Sequence, residues 1–133
     1  MYNNQWSSEG EKMSESAVQG CTVSITSGQS ATLIQITTSP SNKDFVDDKG
    51  IYFGDIDVSL TTITSGSLVC ASGTITIKGT ANNVLDSNGN KAVQKNDSAT
   101  KTLTFTDPST QATSDIPVTI KITDAGQTDV IAS

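Results

Sequence analysis

Histidine is absent from this 133-residue chain, which removes the side chain most often used for acid–base work at neutral pH. Aromatic residues make up only 5% and hydrophobic residues 34%, so the core is thin and stacking surfaces are few. Basic residues are also scarce. Eight stand against fourteen acidic ones, for a formal net charge of −6. An acidic chain without a basic stripe repels nucleic-acid phosphates, so no nucleic-acid partner is expected. No apolar run approaches the roughly 18 residues that cross a bilayer. The opening Met1-Tyr2-Asn3-Asn4-Gln5 is polar and has no signal-peptide core. An exported form would carry its targeting segment upstream, and membrane contact is expected only through a segment outside this sequence.

Cysteine occurs twice, as Cys21 and Cys70, each in strand-like sequence. Because the chain is acidic, Thr-rich and thinly cored, the reading is extracellular or cell-surface, and a Cys21–Cys70 disulfide is expected. Closing a loop of about 50 residues would stabilise the fold by roughly 4 kcal/mol in the chain-entropy account. Two distant thiols without histidine do not complete a zinc shell, so no metal centre or other cofactor is expected.

What is abundant is Ser and Thr. Thr is β-branched and favours strands, so the bias points to exposed β surface. From Cys21 onward apolar residues alternate with polar ones. Val23 and Ile25, then Ile56, Val58 and Leu60, then Ile116, Val118, Ile120 and Ile122 mark strands, with turns at Ser27-Gly28, Asp47-Asp48, Ser65-Gly66 and Asn88-Gly89. Pro117 removes an amide donor and places that part of its strand on a sheet edge. The expected fold is all-β, an immunoglobulin-like antiparallel β-sandwich of seven to nine strands, preceded by a short N-terminal helix. The inward Trp of antibody domains is missing between the cysteines. Residues 1–20 form the N-terminal helical or disordered segment, and residues 21–133 the sandwich domain. Ser8 with Glu11 fits a capping box. Trp6, Met13, Ala17 and Val18 leave a narrow apolar stripe, assigned here to subunit contact, and Gly20 ends the helix.

Catalysis finds little support. A serine nucleophile needs an adjacent base, and the lysines fall in solvated strand or turn sequence. Asp55 and Asp57 share a sheet face, but an exposed polar face accounts for them. Enzymatic activity is not expected. Asp86, Asn88 and Asn90 place oxygens at alternate positions, as at the start of an EF-hand loop, which makes them a weak calcium candidate. Lys91 occupies the sixth place, where glycine is required, and Asp97 the twelfth, where glutamate is usual. Tyr2, Trp6 and Tyr52 are the candidate sugar platforms, and Asn96-Asp97-Ser98 matches a glycosylation acceptor.

Three resemblances bear on function. The stretch Val84 to Val93 resembles a hairpin of bacterial immunoglobulin-like surface domains. Cys21, Phe53-Gly54, Cys70 and Gly73-Thr74-Ile75-Thr76 resemble the pattern of chaperone-assembled fimbrial subunits and spore-coat-U-like domains, although residues 1–20 do not alternate as a donor strand does. A capped amphipathic segment leading into a Thr-rich β domain resembles the soluble part of type IV pilin-like and archaeal flagellar filament-type proteins. These likenesses imply a structural or adhesive subunit of an extracellular filament, whose partners are other subunits or surface proteins. The alternative is a carbohydrate-binding or adhesin module of a larger secreted protein.

Overall fold

Ten strands, all paired antiparallel, build the chain in a computed structural model that describes residues 14–127 and 131–132. The main sheet contains β2 (Thr22–Ile25), β3 (Ser30–Ile36), β6 (Asp55–Ser65), β7 (Leu68–Lys78), β8 (Ser98–Thr106) and β9 (Thr113–Asp124), in the order β2-β9-β8-β7-β6-β3. Laid flat, six strands spaced about 4.8 Å apart would put the outer two roughly 24 Å from each other. Yet Ile25 of β2 and Ser30 of β3 are joined by a connection that spans at most about 17 Å. The sheet therefore curls nearly into a barrel. One curled sheet replaces the expected pair of stacked sheets, although the all-β antiparallel class holds.

The curl has visible local causes. On β6 the buried positions Ile56, Val58 and Leu60 keep step, and the next is Ile63 rather than residue 62. The same slip separates Ile75 from Cys70 on β7, and Ile34 from Ala31 on β3, while the strand register stays unbroken. Thr62, at φ 49°, sits at the step, and both flanking ladders skip it. A β-branched residue at positive φ is costly, so surrounding pairing holds it there. The second device is sparse pairing. Val69↔Thr106 is the one ladder contact between β7 and β8, and farther along the pair the Lys101 ammonium donates to the Thr74 carbonyl at 3.0 Å. Pro117 conforms to its edge expectation. β8 flanks it, but β2 pairs β9 only from residue 120 onward.

The short turns lie at one end of the barrel and the long connections at the other. That second end is capped by β4 (Phe45–Val46) with β5 (Lys49–Gly50), and by β1 (Ser14–Glu15) with β10 (Ile131–Ala132). Asp47 and Asp48, at φ 52° and 66°, supply the two positive values of a type I′ hairpin between β4 and β5. A small second core of Val18, Val46, Ile51, Ala81 and Ala92 fills the cap. The main core, with Phe105, Ile56, Leu60, Ile120 and Ile122 fully buried, fills the barrel.

Two expectations are corrected here. The first is the N-terminal helix. Its described part is extended, with strand at Ser14–Glu15 and bridges Ser16↔Gln94 and Val18↔Ile51. The amides of Ala17, Val18 and Gln19 donate to the carbonyls of Val93, Ala125 and Gly50, three separate segments that outcompete a local helix. Trp6 and Met13, like the Ser8–Glu11 cap, lie outside the described residues. Ala17 and Val18 are fully buried against the chain's own core, so they present nothing to a neighbouring subunit. The second is the disulfide, because Cys21 and Cys70 are free thiols. Cys21 precedes β2 at the capped end, whereas Cys70 lies near the β6–β7 turn at the other, roughly 25 Å along β7 from Lys78. Bonded cysteines need Cα atoms within about 7 Å.

Candidate functional site

The capped end carries a polar groove of about 220 Å³, lined by Ser39, Pro40, Ser41, Lys43, Asp44, Phe53, Asp86 and Ser87. Two loops form its walls. In the first, the Ser41 hydroxyl accepts from the amides of Lys43 and Asp44, each at 3.1 Å, and the Ser41 amide donates to the Ile51 carbonyl at 2.8 Å. These bonds fix the turn that carries Lys43 and Asp44. The second wall is the hairpin after Val84. There the Asp86 carboxylate accepts from the amides of Asn88 and Asn90 at 2.9 and 2.8 Å, and from the Asn90 side-chain amide at 3.0 Å. The Asn90 side chain, followed by these amides, holds the Asp86 carboxyl below its usual range. Phe45 and Leu85 adjoin the groove in sequence and stand exposed, at 54% and 50%.

The calcium candidates Asp86, Asn88 and Asn90 lie together in this hairpin. Asp86 and Asn90 bond each other, and Asp97 is buried elsewhere, bonded to Thr80 and to the Gln94 amide at 2.9 Å. Among the described residues no group of three acidic or cysteine side chains gathers to hold a metal ion. Tyr52, a proposed sugar platform, is only 6% exposed and belongs to the main core. Asp55 and Asp57 do share the exposed face of β6. Asp57 accepts from the Thr76 hydroxyl at 2.7 Å, directly across the β6–β7 ladder. Ser98 and Lys101 have the spacing of a serine–lysine pair but lie on β8, where residues three apart face opposite sides. Burial first, then Asp124, pushes the Cys21 thiol up to about 11, so it stays protonated and unreactive near neutrality.

Asp97 anchors a second polar cluster. Thr80 donates to its carboxylate, and the Gln94 side-chain amide donates to the Thr80 hydroxyl at 2.9 Å. The Gln127 side chain donates to the Ser16 carbonyl at 2.8 Å. Burial raises the Asp97 carboxyl above its usual range, outweighing the bonds from Thr80 and Gln94 that lower it. A raised carboxyl contributes stability that is full below the unfolded-state value, about 3.9, and lost as pH rises through the folded value. Asp97→Asn removes that titration. Urea unfolding at steps from pH 4 to 7 is expected to favour the variant progressively over the parent as pH rises. A constant difference across the range would contradict the assignment.

The groove was not foreseen from the sequence. No motif marks Ser39 to Asp44, and its meeting with Asp86 joins segments some forty residues apart. No known protein family, curated protein or solved structure matches the chain.

Proposed function

We propose that this chain is a structural or adhesive subunit of an extracellular filament or surface, acting by subunit association and contact rather than by catalysis. The observation that carries the reading is β3. It is an outer strand of the main sheet, paired to β6 on one side, and it exchanges no ladder with β2 on the other. None of its seven residues is buried, and Leu33 is 52% exposed. The phase slip explains Leu33. It stands beside the step, where Ile34 takes the inward position on the capped side and Ala31 on the other.

Proteins that remain apart guard such edges with lysine, proline or a charge pointing inward. β3 reads Ser-Ala-Thr-Leu-Ile-Gln-Ile and has none of these guards. Its unpaired amides and carbonyls suit strand addition by a neighbouring subunit, with Leu33 supplying apolar contact. The proposal rests on this edge and not on an N-terminal helix.

Sedimentation velocity over a wide concentration range tests it. The parent chain is expected to associate reversibly. Leu33→Lys, which places a charge in the contact, is expected to weaken association at least about tenfold, a change worth about 1.4 kcal/mol. Because Leu33 is half exposed, the melting temperature stays nearly unchanged. A parent chain that remains monomeric throughout would overturn the reading.

A further inference from the structure

We infer that the groove between the Ser39–Asp44 loop and the Asp86–Ser87 hairpin binds a single neutral sugar residue. The inference goes beyond the strand-edge proposal and does not depend on it, since the two share no residue. The polar groups of the groove are complementary to a polyol. Two serine hydroxyls, at positions 39 and 87, both donate and accept, while that of Ser41, whose acceptor positions the Lys43 and Asp44 amides occupy, has only its proton to offer. Lys43 supplies an ammonium that takes no protein partner among the described residues. Asp44 contributes a carboxylate whose one side-chain bond, from the Ser41 hydroxyl, is long at 3.4 Å. Asp86 uses three of the roughly four acceptor positions of a carboxylate on its own hairpin, leaving one.

Phe53 and Pro40 supply the apolar part. A sugar ring has one face of C–H groups and a rim of hydroxyls, so it needs both an apolar surface and converging donors and acceptors. Phe53 is half-buried, packed on the second core below, which holds it in place. The hydrogen-bonded turns fix both walls before any ligand arrives, so little ordering is lost on binding.

Charge and size narrow the ligand class. Lys43 offsets one of the two carboxylates and leaves the groove with a net charge of about −1, within a chain of net −6. Anions are therefore repelled. The lysine in the same groove opposes a cation. A volume of about 220 Å³ lies below the usual range for drug-sized ligands, and suits one ring rather than an extended chain.

The test is a ¹H–¹⁵N NMR titration of the whole chain with the methyl glycosides of glucose, galactose, mannose and N-acetylglucosamine. Glycine and tetramethylammonium serve as zwitterionic and cationic comparisons. At least one glycoside is expected to give saturable shifts confined to Ser41, Lys43, Asp44, Phe53, Asp86, Ser87 and their chain neighbours. Asp44→Asn and Lys43→Gln are each expected to weaken that binding about tenfold while the rest of the spectrum is unchanged. Leu33→Lys is expected to bind the glycoside as the parent does, which separates this site from the association surface. No saturable shift with any glycoside, shifts elsewhere, or a response to glycine or tetramethylammonium alone would overturn the inference.

Discussion

Phe105→Ala is expected to cost the fold about 3–5 kcal/mol, read as the loss of stability in urea unfolding. Phe105 is the largest fully buried side chain among the described residues, and it lies on β8 next to Thr106, whose pairing with Val69 is the ladder contact between β7 and β8. The other neighbouring strands of the sheet are paired over several residues each. With so little ladder pairing at this seam, side-chain packing such as that of Leu103 over Gly73 carries more of the contact, so a cavity there weakens the closure of the barrel itself. Phe105→Leu, which keeps most of the volume, is expected to cost only about 1–1.5 kcal/mol. A loss below about 1 kcal/mol for the alanine variant would show that the seam does not depend on that ring.

Gly79→Ala is expected to be comparably damaging, by roughly 3–5 kcal/mol, although it adds one methyl group. A Cβ at residue 79 would lie 2.2 Å from the Lys91 carbonyl oxygen and 2.9 Å from the Ala92 carbonyl carbon. Those atoms are backbone, and they are already engaged. The Lys91 carbonyl accepts from the Gly54 amide at 2.8 Å, and Gly79 donates to Gly54 at 2.8 Å. Relieving the collision must move the 91–92 segment away from Gly54, and with it the hairpin that bears Asp86. Calorimetry would report the lost stability, and the resonances of Asp86 and Ser87 the displaced groove wall. A melting temperature within about a degree of the parent would contradict the packing described at Gly79.

The contrast between these sites and the sequence shows what was legible. Period-two alternation identified β6 and β9 directly, because Ile56, Val58 and Leu60, and Val118, Ile120 and Ile122, each keep one phase toward the core. It did not show how the sheet closes. That depends on which edges meet, and on the slip at Thr62, which in sequence is one more threonine in a run. The helix reading of Ala17 and Val18 failed for a related reason. Their spacing suits a helix stripe, but two distant segments, at Val93 and Ala125, supply partners for their amides, and tertiary bonds override a short local preference. The cysteines gave a count without positions, and the register places them at opposite ends. The groove draws on residues from two loops and on Phe53, so no single window of sequence contains it.

Amide hydrogen exchange at low and high protein concentration tests the central claim, that the chain works by contact through the free edge of β3. The prediction is that amides within Ser30–Ile36 that do not point at β6 gain protection as concentration rises, and that Leu33→Lys abolishes the gain. Association that leaves every β3 amide unchanged, with new protection on another surface, would contradict it.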